Sequence, residues 1–148
     1  MLTAQEALIQ LQEGNQRFVE GKSTRNTNYT RRRNELVDGQ TPFAIILGCS
    51  DSRVPTEIVF DQGLGDLFVI RIAGNIVAPS QIGSIEFAVE TFQTPLVVVL
   101  GHTGCGAVAA TLNQIRQPQA SRSRHLRSIV ERIRPAVEPL SEIRTDLA

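Results

Sequence analysis

Residues 97–108 read V-V-V-L-G-H-T-G-C-G-A-V, and their reading decides the fold. The apolar run Leu96–Leu100 is rich in Val and does not alternate with polar residues. Strands buried on both faces in a parallel sheet have this pattern. Gly101 and His102 follow, and the small residues after them open a helix expected over 104–115. Two similar runs precede this one: Phe43–Leu47, leading into Gly48 and Cys49, and Leu67–Ile72. A short helix is expected at 55–60. A longer one is expected at 80–92, with Ile82, Ile85, Phe87, Val89 and Phe92 as its apolar positions. Strands alternating with helices predict an α/β fold, an open and mainly parallel sheet flanked by helices with right-handed crossovers.

Outward from this core the pattern changes. Thr3 and Glu6 have capping-box spacing, in which each side chain satisfies a free backbone donor at the helix start. Leu8, Leu11 and Phe18 then recur at roughly helical spacing, predicting an amphipathic helix over 4–20 that Gly21 ends. Residues 22–34 are polar and hold Arg31, Arg32 and Arg33 in a row. They read as a solvated connector, or as an arm docking on a partner subunit. Past 116, residues 117–123 read as a loop and 124–134 as a basic helix. Pro135 and Pro139 are expected to interrupt it, and 140–148 to begin another helix. The 148 residues suit one domain: an N-terminal helix and arm (1–34), an α/β core (40–115) and a helical tail (116–148).

Composition narrows the function classes. Fifteen cationic and fifteen acidic side chains cancel, which argues against nucleic acid or an anionic membrane surface as partner. No apolar run is long enough to span a bilayer, and the N-terminus lacks a basic start followed by an apolar core. The expected location is the cytoplasm. In a reducing compartment, the two cysteines, Cys49 and Cys105, read as a metal or catalytic pair rather than a disulfide.

Cys49 and His102 each sit one or two residues past the carboxyl end of an expected strand. In open α/β sheets ligands bind in the crevice outside those ends. If the first and third strands are neighbours, the two residues face each other there. His102 and Cys105 share the turn H-T-G-C-G, which can aim two donors at one ion. Two thiolates and one imidazole suit zinc, and three protein ligands with an open fourth position is the catalytic arrangement. Taken singly, Cys49 also reads as a small buried hydrophobe and His102 as a hydrogen-bonded core residue. His125, the other histidine, reads as a surface residue. Asp51 and Arg53, in C-S-D-S-R, flank the first cysteine. A neighbouring cation keeps such an Asp ionised, so it can bond to a metal-bound water or take the fourth position itself. A helix-capping Asp with an ordinary salt bridge is the other reading.

C-S-D-S-R-V-P at 49–55, F-V-I-R-I-A-G-N at 68–75, G-S-I-E-F-A-V at 83–89 and V-V-V-L-G-H-T-G-C-G-A-V at 97–108 resemble the β-class carbonic anhydrases in order and spacing. The resemblance implies reversible hydration of CO2 to bicarbonate and a proton. It implies one zinc ion per chain held by Cys49, His102 and Cys105, with Asp51 and Arg53 as the dyad orienting a zinc-bound hydroxide. It places Gln40 as a substrate donor, Phe68, Ala73 and Phe87 as apolar pocket positions, and Gly106 as a backbone donor to substrate. It implies a homodimer or tetramer with exchanged N-terminal helices. Some members have a closed form with the Asp on zinc, expected at low pH and opening as pH rises. Bicarbonate-regulated members carry a Trp where this chain has Ile46. Family chains continue with a further strand and helices, so an exposed sheet edge is expected here. The competing expectations are hydrolysis of a CO2-like molecule such as carbon disulfide, an inactive zinc-binding structural module, and a thiol redox protein. No C-x-x-C supports the last.

Overall fold

The computed structural model describes residues 2–24, 28–118 and 123–143. In chain order its elements are α1 (Ala4–Val19), α2 (Tyr29–Glu35), β1 (Ala44–Gly48), α3 (Thr56–Val59), β2 (Leu67–Arg71), a 3-10 turn (Ala73–Asn75), α4 (Pro79–Phe92), β3 (Val97–Leu100), α5 (Gly106–Arg116) and α6 (Arg124–Ile143). The three apolar runs form one parallel sheet in the order β2-β1-β3. β1 is therefore central and wholly buried, which is why its five residues carry no polar side chain. Its register sets Ile46 beside Val69 on one side and Val98 on the other.

Side chains alternate across a strand, so the register fixes two faces. On one face Ala44, Ile46 and Leu67 pack with Leu11 of α1 and with Phe60, and Val69, Val98 and Leu100 close the cluster. Each large aliphatic side chain buried there contributes about 1.5–3 kcal/mol. α4 packs on β1 and β2. There Phe68 of β2 meets Phe87 and Phe92 of α4, with ring centroids 6.3 and 6.0 Å away. Beside Ile45 and Leu47, on their face, Val97 and Val99 of β3 stay 41% and 60% exposed, so apolar surface remains uncovered there.

α1 begins with the expected capping box: Thr3 accepts from the Glu6 amide, and Glu6 accepts from the Thr3 amide. It ends as Gly21 takes φ +67°, with the Lys22 amide bonded to the Arg17 carbonyl and the Gly21 amide to that of Phe18. Its inward face is Ala7, Leu11 and Gly14; Phe18, expected on that face, is exposed. Gly14 is required by close approach, since a Cβ there would lie 1.9 Å from the Phe60 carbonyl oxygen.

Within the polar stretch 22–34, expected to be a solvated connector or a docking arm, a helix begins at Tyr29 and runs to Glu35, with none of its residues buried. Asn28 caps it, and Arg32 ties it to the Leu64 carbonyl and the Asp66 carboxylate. Residues 25–27 lie outside the described residues, as do 119–122 of the expected loop. Pro135 and Pro139 do not end the helical tail: α6 runs through both to Ile143. Each proline removes one backbone bond, a cost of about 3 kcal/mol that docking of the helix on α5 and the 3-10 turn offsets. Ile133 is the buried contact of that docking. The expected second helix at 140–148 is thus the end of α6 as far as Ile143, and 144–148 lie outside the described residues. No described helix is long and apolar enough to cross a membrane.

Candidate metal centre

β1 and β3 are hydrogen-bonded neighbours, so the residues leaving their carboxyl ends emerge side by side. Cys49 follows β1 directly. After β3 the chain turns through His102 and Gly104, which adopts φ +64°, and reaches Cys105, the N-cap residue of α5. The Cys49 and Cys105 sulfurs are 4.0 Å apart, and the two with an imidazole nitrogen of His102 lie within 4.8 Å of one another. Both cysteines are free and buried.

The chemistry of the three donors fits a metal ion. A tetrahedral zinc with sulfur at about 2.3 Å separates two sulfurs by roughly 3.8 Å, close to what is seen. The same gap is too wide for a disulfide. His102 Nδ1 lies 2.9 Å from the Thr103 carbonyl oxygen, which can only accept, so Nδ1 carries the hydrogen. Nε2 is then the lone-pair nitrogen of the neutral ring, and among the described residues it is the buried side-chain polar atom with no hydrogen-bond partner. An orphaned nitrogen beside two thiols is the signature of a ligand set.

Electrostatics point the same way. Burial pushes the Cys49 thiol up, but the attraction of His102 and the amides of Asp51 and Gly74 outweigh it and bring it to about 7. The Gly74 amide donates to Cys49 Sγ at 3.3 Å. Cys49 in turn raises the pKa of His102, against the lowering effect of burial.

Asp51 stands beside this group, Oδ2 being 3.9 Å from His102 Nε2. Its carboxylate is gripped by Arg53, with Nε–Oδ1 2.9 Å and Nη2–Oδ2 2.7 Å, and by the Arg53 amide at 3.0 Å. Hydrogen bonding from that guanidinium holds the Asp51 carboxyl well below the usual carboxylate range. The capping reading of Asp51 is set aside, because α3 begins only at Thr56 and Pro55 is its N-cap. Arg53 Nη2 also donates to the Gly104 carbonyl at 3.0 Å, tying the turn after β1 to the turn after β3.

The remaining site expectations separate. Gly106 is the first residue of α5, next to Cys105, with open space where a Cβ would be. Ala73 opens the 3-10 turn that carries Gly74. Phe68 and Phe87 lie in the layer between β2 and α4. Gln40 does not join the cluster. It lines an open depression of about 520 Å³ with Arg33, Leu36, Val37, Gly39, Leu64 and Gly65. His125 is an exposed residue of α6, as expected. Sequence reasoning missed Arg71 and Gly74. Arg71 was visible as the charged residue closing the apolar run of β2, at the same sheet end as Cys49. Gly74 needed its positive φ, +66°, to be known.

Comparison with known proteins agrees with this geometry. The family model described as carbonic anhydrase matches residues 44–147. The chain is 47% identical to a carbonic anhydrase of Mycolicibacterium smegmatis and 48% identical to carbonic anhydrase 2 of Mycobacterium tuberculosis. Each match covers 86% of the chain and 61% of the relative, so the chain spans about three-fifths of these relatives' length. Among solved structures it resembles the β-carbonic anhydrase CafA of Aspergillus fumigatus, with TM-score 0.66 and 31% identity over 81% of this chain and 58% of that one. It also resembles one of two tetrameric β-carbonic anhydrases of Sordaria macrospora, with TM-score 0.65 and 25% identity over 93% and 67% of the two chains. The Cys-His-Cys cluster beside an Asp–Arg fork, on this sheet and in this family's sequence, places the chain among the β-class carbonic anhydrases.

Proposed function

We propose that this protein catalyses the reversible hydration of CO2 to bicarbonate and a proton, with Cys49, His102 and Cys105 holding one zinc ion. The observation that carries the reading is the convergence of the three donor atoms within 4.8 Å beside the Asp51–Arg53 fork. When bound, zinc would supply a Lewis acid that brings the pKa of a water toward neutrality.

The chain's own residues supply the rest. Arg53 keeps Asp51 ionised, so the carboxylate can only accept. A water or hydroxide beside it must donate a hydrogen bond to Asp51, and this turns an oxygen lone pair away, toward an incoming CO2 carbon. The Gly106 amide lies in the first turn of α5, where backbone donors lack helical partners. On this reading it would bond an oxygen as bicarbonate charge develops. Phe68, Ala73 and Phe87 would furnish apolar walls suited to CO2. Gln40, remote from this chain's cluster, would serve a partner subunit's site. In the proposed assembly, a dimer or tetramer, the N-terminal helices lie across one another's subunits. α1 uses Ala7, Leu11 and Gly14 on its own chain, which leaves Ile9, Phe18 and Val19 for that contact.

Zinc per chain and stopped-flow CO2 hydration test this together. The expected result is one zinc and hydration activity, with Asp51→Ala keeping the zinc and losing about hundredfold in rate. Zinc without activity in the unmodified protein would instead indicate a structural module. An Asp51→Ala variant as fast as the parent would remove Asp51 from the mechanism.

A further inference from the structure

The turn that carries Cys49 and Asp51 is held from below by β2. Two backbone bonds extend the sheet past Gly48: the Ile72 amide to the Gly48 carbonyl at 3.0 Å, and the Ser50 amide to the Ile72 carbonyl at 3.2 Å. There the ladder stops, one residue short of Asp51. Arg71 continues it with a side chain. Its Nε donates to the Cys49 carbonyl at 2.9 Å and its Nη2 to the Asp51 carbonyl at 2.6 Å. The guanidinium fork thus spans the two residues that the proposed chemistry must keep in fixed relation, the first sulfur donor and the carboxylate.

We propose that Arg71 is a positioning residue that acts through the backbone of Cys49–Asp51 to aim the Asp51 carboxylate. This rests on the functional reading above. Arg53 clamps the carboxylate from its own turn and from the Gly104 side, and Arg71 clamps the peptide beneath it. Charge-assisted bonds from a planar fork fix direction as well as distance, which a lysine cannot reproduce. Without Arg71 the turn keeps its bonds at Gly48 and Ser50, and Asp51 swings with Arg53 still attached. Metal holding survives, and aim is lost.

The test compares Arg71→Met, Arg71→Lys and Asp51→Ala, singly and combined, in the zinc-loaded protein. Arg71→Met is expected to lower kcat by about tenfold or more and leave KM within about twofold, with Arg71→Lys in between. In the Asp51→Ala background Arg71→Met should cost less than about twofold more, because its effect passes through Asp51. A full additional loss in that background overturns the proposal, and so does parental kcat in Arg71→Met. Should Arg71→Met not fold, Arg71→Lys carries the same cycle. Should the unmodified protein hydrate no CO2, the functional reading fails and the visible spectrum of the cobalt(II)-loaded protein decides the role of Arg71. Bands displaced in Arg71→Met and intermediate in Arg71→Lys are expected, and coincident spectra overturn it.

Discussion

At Cys49 two effects oppose each other. A buried thiol resists ionisation, yet His102 and two backbone amides draw its pKa down to about 7. A metal ion must displace whatever proton remains on the sulfur, and the proton that a raised pKa favours on His102. Both protons are held more fully as pH falls, so metal binding should weaken in acid. Chelator competition across about pH 6 to pH 8 should show affinity rising with pH, by up to about tenfold per unit for each proton displaced and less steeply above the Cys49 pKa of about 7. An affinity that stays flat over that range would mean that Cys49 and His102 are not the donors. The residue types needed here were legible in the sequence, because a thiol, an imidazole and a carboxylate carry their chemistry wherever they are. The hydrogen on His102 Nδ1 and the Gly74 amide at the sulfur were not, since both are properties of backbone placed by the fold.

Helix α1 is held to the turn that follows α3 by fit and by charge. Gly14 lies against the Phe60 carbonyl. One turn on, Arg17 meets the buried Asp61 at 2.7 Å, and Asp61 also accepts from Thr24. Gly14→Ala puts a methyl where backbone already stands. It should destabilise the fold by about 3 kcal/mol, read as a lowered denaturation midpoint in urea, despite alanine's higher helix propensity. An unchanged midpoint would show that α1 does not dock as described. The capping box and Gly21 marked the ends of this helix in advance, because caps are local. Its inward face was harder to read, since Phe18 has the right spacing but only packing decides which stripe turns in. α2 has a local cap in Asn28, but its anchoring through Arg32 to Leu64 and Asp66 is set by the fold, and the two prolines of α6 are tolerated because the helix docks on α5 and the 3-10 turn.

Across the whole molecule, apolar surface is unevenly covered. Val97 and Val99 of β3, and Ile82, Phe87 and Val89 of α4, are each more than 40% exposed. Patches of this kind are surfaces for association, and the similar Sordaria macrospora proteins are tetrameric. Light scattering at micromolar concentration should give a dimer or tetramer, and a monomer would count against the assembly proposed here. By itself the sequence determined the kinds and order of the elements from β1 to α5, since strand and helix periodicities and turn residues are local. It also offered the candidate donors Cys49, His102 and Cys105, which is a matter of side-chain chemistry. Only the tertiary structure decided the strand order β2-β1-β3, and with it the meeting of Cys49 and Cys105 from 56 positions apart. It also decided that Arg71 reaches beneath Asp51. Pairing between distant segments follows register and packing, and these are set by the whole chain at once.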